Sequence, residues 1–261
     1  MDRDNGTGNC RIMTYNIHRC VGTDGKLSPP RIADVIAACK TDIVALQEVD
    51  VGRSRTGYVD QAAAIGKILG MQVHFHPALR VLDEQYGDAI LTRSPSALVK
   101  AGLLPGPKPS SGHEPRGAIW VRAEMAGQQV DVVNTHLGLT RAERMMQVGA
   151  LIGPEWIGGR PIGGTMILAG DFNVGRRTRS YRRLAACLDP ARDKTGRRQL
   201  RTFPSRLPVL ALDHIFASEG IEIVEVGTVR TPLTRVASDH LPLVADFRLT
   251  PSQVELRERA A

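Results

Sequence analysis

Six short apolar runs, each adjoining a side chain that can hold a cation or move a proton, constrain this chain more than any other feature. Thr165-Met166-Ile167-Leu168-Ala169 leads directly into Gly170-Asp171-Phe172-Asn173. The apolar run has the length and composition of a buried strand. Asp171 and Asn173 are therefore expected where a strand ends, and Gly170 lets the backbone come close to a neighbour or ligand. The construction recurs at Asn16 in the run Cys10–Ile17, at Glu48 after Ile43–Leu46, at His136 after Val130–Thr135, at Asp213 after Val209–Leu212, and at Asp239 with His240 before Leu241–Leu249. A single Asp or Asn at a strand end is most simply a turn former bonded to its own backbone. Six ends that carry only carboxylates, carboxamides and imidazoles are not explained by turn chemistry. Strands that share one end of a layer would bring these groups into a single cleft.

The runs Val73–His76, Ala89–Thr92, Ala118–Glu124 and Ile221–Val229 read as further strands. Helices are expected after Pro30, with Ile32, Val35 and Ile36 as the apolar stripe, over Asp60–Leu69 with Gly70 closing it, over Arg141–Ile152, and near Tyr181–Leu188. Several neighbouring strands lack a crossover helix between them, which predicts mixed sheets and not a purely parallel one. With 261 residues, 42% of them hydrophobic, the chain can bury a full core. No linker divides it. The reading is a loose tail over residues 1–9, one domain over 10–249 and a polar tail over 250–261.

The formal net charge of +7 favours polyanionic partners such as nucleic acid, anionic lipid or phosphorylated metabolites. Arg176, Arg177 and Arg179 just after Asp171, and the loop Arg53–Tyr58 just after Glu48, either line the cleft or form a solvated basic face. Aromatic residues make up only 4%, leaving few platforms on which bases could stack. None of the four cysteines forms a Cys-x-x-Cys pair, which argues against a zinc knuckle. Free thiols, a polar N-terminus and the absence of any apolar run near the ~18 residues of a membrane span lead to the expectation of a cytoplasmic protein with no transmembrane segment. The oxygen-rich, cysteine-free set of strand-end residues suits a hard cation, Mg2+ with Mn2+ as a substitute, better than zinc.

In order along the chain stand Thr14-Tyr15-Asn16, Leu46-Gln47-Glu48-Val49, Asn134-Thr135-His136-Leu137, Gly170-Asp171-Phe172-Asn173, Leu212-Asp213-His214-Ile215 and Ser238-Asp239-His240. This series resembles the endonuclease/exonuclease/phosphatase superfamily of deoxyribonuclease I-like fold, in a small bacterial-type form. The resemblance implies a four-layered α/β sandwich, two mixed sheets packed face to face with helices outside. It implies Glu48 as the principal Mg2+ ligand, with Asn16 beside it and Asp239 nearby. It implies Asp171 as the group that positions or deprotonates the attacking water, Asn173 as a donor to the phosphoryl group, and His240, oriented by Asp213, on the same oxygens. His136 resembles the residue that assists the leaving oxygen, Arg116 a phosphate-contacting arginine, and Asp88 a support for the His136 side. Arg176 is a candidate substrate contact. His18, His74, His76 and His214 fall outside the matched positions and are read as structural.

The implied activity is Mg2+-dependent hydrolysis of a phosphodiester by in-line attack of water, without a covalent enzyme intermediate. The implied substrate is nucleic acid or a phospholipid head group. Val49-Asp50 stands where abasic-site endonucleases have Thr-Lys, and the Trp-Cys-Asp-Arg stretch of inositol polyphosphate 5-phosphatases is missing. The alternatives are a phosphomonoesterase on inositol-phosphate-like substrates and a non-catalytic polyanion-binding protein of the same fold. A binding protein would have no chemical need for all eight strand-end groups.

Overall fold

A computed structural model describes residues 9–106, 113–160, 164–193 and 200–250. The tails expected at 1–9 and 250–261 lie, apart from residues 9 and 250, outside the described residues. One sheet contains β1 (Cys10–Asn16), β2 (Ile43–Val51), β3 (Gln72–Val81) and β4 (Glu84–Thr92). The second contains β5 (Ser96–Leu103), β6 (Gly117–Met125), β7 (Gln128–His136), β8 (Met166–Asp171), the two-residue β9 (Asp189–Pro190) and β10 (Asp213–Ala217). The chain then returns to the first sheet with β11 (Ile221–Thr228) and β12 (Leu243–Leu249). The strand orders are β11-β12-β1-β2-β4-β3 and β5-β6-β7-β8-β10-β9. Both sheets are mixed. In each, one central pair is parallel, β1 with β2 and β7 with β8, and the flanking pairs are antiparallel.

The two sheets pack face to face over Ile12, Ile43, Ala45, Ile119, Val121, Val132, Ile167, Ile215 and Phe247. On the outside of the first, Met13, Tyr15, Val44 and Leu46 meet the helices α1 (Pro29–Cys39) and α2 (Gln61–Leu69). On the outside of the second, Val133, Leu168 and Phe216 meet α3 (Arg141–Leu151) and α4 (Arg179–Ala185). Central strands are thus covered on both faces, which is why their sequences are continuous apolar runs with no alternation. The result is the four-layered α/β sandwich. Helix starts follow local chemistry. Ser28 Oγ accepts from Arg31 N ahead of two prolines in the first turn of α1, and Thr140 with Glu143 forms a reciprocal capping box on α3.

Three elements differ from expectation. Val209–Leu212 is not a strand. Val209 and Leu210 are 52% and 48% exposed, so this apolar run buries little, and the strand begins at Asp213, antiparallel to β8. β5 was not expected. It is a sheet-edge strand whose residues are half-buried or exposed, and it lacks the apolar run that marks the interior strands. β2 does not stop at Leu46 but continues to Val51 through a bulge, where its register against β4 skips from Leu46 to Val49.

Gly170 is required by geometry at the end of β8. Its φ is +154°, and a Cβ there would lie 2.0 Å from the carbonyl oxygen of Thr135 on β7. A backbone neighbour in a parallel ladder cannot move aside as a flexible side chain can. Gly170→Ala is expected to destabilise the fold by about 2–3 kcal/mol through overpacking, measured by urea unfolding. A loss below about 0.5 kcal/mol, the range of inert surface changes, would contradict this account of the β7–β8 junction.

Candidate active site

Asn16, Glu48, His136 and Asp171 come from the C-terminal ends or bulges of the four parallel central strands, so both sheets deliver polar groups to one edge of the sandwich. Asp213 opens β10 directly opposite Asp171 in the antiparallel ladder, and Asp239-His240 precede β12. The β2 bulge places Glu48 at φ +58°, a left-handed conformation uncommon outside glycine, and this turns its carboxylate toward the cleft. Asn173, at φ +51°, is held the same way just past β8. The groups share an open cleft of about 490 Å3 lined by Glu48, Arg116, His136, Asp171, Asn173, Asp239 and His240.

The floor is a network of hydrogen bonds and ion pairs. Asn16 Nδ2 donates to Glu48 Oε1 at 3.0 Å and to Asp171 Oδ2 at 3.1 Å, joining the two sheets. Asn16 Oδ1 accepts the backbone N–H of His18 at 3.0 Å, so the amide oxygen faces away from the two carboxylates. Asp171 Oδ1 accepts from Asn173 N at 2.9 Å. His240 Nδ1 lies 2.9 Å from Asp213 Oδ2, and its Nε2 lies 3.6 Å from Asp171 Oδ2. His136 Nε2 is also 3.6 Å from Asp171 Oδ2. Arg116 Nη1 approaches His136 Nδ1 at 3.2 Å, and Asn173 Nδ2 approaches His136 Nε2 at 3.1 Å. A neutral imidazole has one lone pair, so it accepts from only one of these two donors at a time.

Environment drives these groups apart in acidity. Burial alone lowers the His240 pKa, but the charges of Asp213 and Asp171 and the hydrogen bond to Asp213 outweigh it and raise the pKa to about 10. His240 is therefore a cation at neutral pH. His136 is pushed well below its ordinary value, by burial first and then by the charges of Arg116 and His240. Burial, then the charge of Asp213, raises Asp171, against the opposing pull of His240 and two donated hydrogen bonds. A buried carboxylate more basic than usual next to a protonated imidazole is an arrangement for moving a proton at neutral pH. Asp88 lies buried beside this group, with its pKa raised to about 8 by burial despite the nearby Arg116.

The donor set fits a hard divalent cation. Glu48 and Asp239 bring half-exposed carboxylates to the cleft, and no cysteine lines it. Asp171, Asp213 and His240 also place ligand atoms within 4.8 Å of one another. That trio is closed by its own hydrogen bond, and the proton on His240 competes with a metal there. Ligation by Asn16 Oδ1 would require it to release the His18 N–H.

The structure brings Asn16, Glu48, Arg116, His136, Asp171, Asn173, Asp213, Asp239 and His240 together. Arg176 is exposed and does not line the cleft; its charge acts on the buried His214 behind it. Cleft residues outside the sequence reading include Arg19, Tyr86, Glu114, Leu139 and Phe203. Tyr86 lies within β4, and the others sit on loops or past strand ends. His18, read as structural, also lines the cleft, and Arg55 does so from the basic loop after Glu48. His214 is buried, donates from Nε2 to the Val174 carbonyl at 2.7 Å and packs against Phe172, Tyr181 and Phe216.

The two-sheet sandwich, with carboxylates, amides and imidazoles converging at one edge, matches a known protein family. The chain belongs to the Endonuclease/Exonuclease/phosphatase family, whose family model matches residues 13–240. Members of that family are metal-dependent phosphoesterases, nucleases and phosphatases among them. The chain is 27% identical over 252 residues to the Escherichia coli protein named "Uncharacterized protein YbhP", covering 92% of this chain and 96% of that one. Among solved structures it is similar to an endonuclease/exonuclease/phosphatase from Beutenbergia cavernae, with TM-score 0.72, 22% identity and coverage of 94% of this chain and 72% of the other. The human Nocturnin catalytic domain with bound sulfate is similar at TM-score 0.71 and 23% identity, with coverage of 93% and 95%.

Two predictions follow from the imidazole environments. In Asp213→Asn the largest attraction raising His240 is gone, so its ring, followed by NMR, should titrate well below the value of about 10 found in the intact pair. An unchanged titration would remove Asp213 from this role. His214 works in the other direction, because burial lowers its pKa to about 4. Unfolded histidine titrates near ~6.5, so the folded chain refuses a proton that the unfolded chain takes. Stability held above pH ~6.5 is lost as pH falls toward 4, by about 3 kcal/mol for full protonation of this one group. His214→Gln, which keeps a donor for Val174, should flatten that acid limb in urea unfolding. An equally steep limb would contradict the assignment.

Proposed function

We propose that the chain is a divalent-metal-dependent phosphodiesterase, with Mg2+ as the ion and a nucleic acid or phospholipid head group as the substrate. The observation that carries this reading is His240, a buried cation set between Asp213 at 2.9 Å and Asp171 at 3.6 Å, with the Asn173 backbone N–H bonded to the same Asp171 carboxylate. Glu48 and Asp239 would hold the ion, which when bound supplies charge neutralisation at the phosphoryl oxygens and a more acidic water. Asp171 takes the proton from the attacking water, since burial has made it a better base. His240 and the Asn173 amide face the phosphoryl oxygens as donors while charge builds there. His136, neutral and supported by Arg116, serves the leaving oxygen beside Asp171. Water attacks phosphorus directly, and no protein nucleophile takes part.

The net charge of +7 supports an anionic substrate surface. No disulfide joins Cys10, Cys20, Cys39 and Cys187, which supports a reducing, cytoplasmic compartment. Among the described residues no helix is long and apolar enough to cross a membrane.

The test is hydrolysis of a simple aryl phosphodiester by the purified chain with Mg2+, and again after chelation with EDTA. The expected outcome is turnover that EDTA abolishes and added Mg2+ restores. Absence of turnover with Mg2+, Mn2+ and Ca2+ alike would overturn the reading. Glu48→Gln should raise the Mg2+ concentration needed for half-maximal rate by more than the about 10- to 100-fold that loss of an outer-shell partner costs. An unchanged Mg2+ requirement would place the ion elsewhere.

A further inference from the structure

Three arginines line the cleft, and two are neutralised within the protein. Arg55 forms a two-point ion pair with Asp50, at 2.8 and 2.7 Å, and Arg116 Nη1 lies 2.7 Å from Glu114 Oε2. Arg19 meets no carboxylate among the described residues, and its Nε is buried without an acceptor. The guanidinium is nevertheless held in place. His18 Nδ1 lies 3.0 Å from the Val21 carbonyl, which can only accept, so Nδ1 carries the ring proton. That leaves Nε2 to accept from Arg19 Nη2 at 2.6 Å.

The backbone beneath is unusual. His18, Arg19 and Cys20 have φ of +44°, +55° and +57°, three consecutive non-glycine residues in the left-handed region. Such a run persists only where its surroundings impose it. Here Asn16 Oδ1 accepts from His18 N at 3.0 Å, and the fully buried Gln61 donates to the Arg19 carbonyl at 2.7 Å. A strained turn, a fixed imidazole and a buried amide together present one unneutralised guanidinium to the cleft.

Its place in the cleft indicates what it meets. Along the floor the contacts run from Arg116 through His136 to Asp171, then through Asn16 to Glu48 and the His18–Arg19 turn. Arg19 lies in the turn that Asn16 anchors, while Asn173 and His240 adjoin Asp171. The oxygens of the phosphate being cleaved have their own donors there. We infer that Arg19 binds a second, non-scissile phosphate of the substrate, so that the cleft favours compounds carrying a phosphate beside the one hydrolysed. A guanidinium fork matches phosphate oxygens in geometry and charge. The inference rests on the phosphoesterase reading and deepens it.

The experiment compares Mg2+-loaded wild type, Arg19→Ala and Arg19→Gly; the glycine variant keeps the turn because it suits the left-handed φ. Calorimetry with inorganic pyrophosphate and inorganic phosphate forms one arm. Turnover of the p-nitrophenyl ester of thymidylate, with and without a phosphate on the other sugar hydroxyl, forms the second. Wild type should prefer the two-phosphate probe in at least one arm by about ten- to a hundred-fold, the worth of one charge-assisted contact, and both variants should lose that preference. Loss confined to pyrophosphate places the second phosphate directly beside the first, and loss confined to the ester places it one nucleoside away. A wild type without preference in either arm, or variants that keep it in both, would overturn the inference. Failure to turn over either ester would remove the phosphoesterase reading alone, because the calorimetric comparison needs no turnover.

Discussion

The two sheets of this protein are tied by buried amides, and the position of every cleft residue depends on those ties. Gln47 on β2 donates to Asn134 Oδ1 on β7 at 2.7 Å, and Asn134 Nδ2 returns bonds to the carbonyls of Leu46 and Ala89 at 2.8 and 2.9 Å. One layer nearer the surface, Asn16 reaches Asp171 across the same gap. The rest of the inter-sheet contact is apolar, mainly Ile, Val and Ala. Apolar contact is non-directional and tolerates sliding. A buried amide left without its partner costs about 1–3 kcal/mol. The amide pairs thereby fix how the sheets sit on each other, and the next residues outward, Glu48 and His136, meet across the cleft at a set spacing.

Three histidines within this small region differ only in what surrounds them. His240 has two carboxylates and becomes a cation. His136 has an arginine and another cation nearby and stays neutral. His214 has aromatic rings and one carbonyl and stays neutral because burial outweighs the Val174 bond and the pull of Asp171. The division of labour in the site follows from burial that penalises every charge equally and neighbours that do not.

Much of this was legible in the sequence, for a physical reason. Strands covered on both faces must be continuously apolar, so a polar group at their ends stands out, and Asn16, Glu48, His136 and Asp171 were found that way. The same signal misled at Val209–Leu212, where an exposed apolar run imitates a strand and Asp213 belongs to the next one. Edge strand β5 gave no signal because an exposed edge needs no apolar run. Tyr86, Glu114 and Phe203 reach the cleft only through tertiary packing. Arg19 lies three residues past the Asn16 strand end in a turn whose left-handed backbone has no glycine to announce it. Arg176 shows the reverse case, a basic residue close to Asp171 in sequence that does not line the cleft.

The central claim is that water, deprotonated by Asp171, attacks phosphorus within this cleft. The direct measurement is turnover of an aryl phosphodiester with Mg2+ in water labelled with heavy oxygen, in the wild type and in Asp171→Asn. The account predicts label in the phosphoryl product and none in the phenol, with the variant slowed by the about 100-fold or more that loss of a general base costs. Label in the phenol, or an Asp171→Asn chain as fast as the wild type, would contradict it.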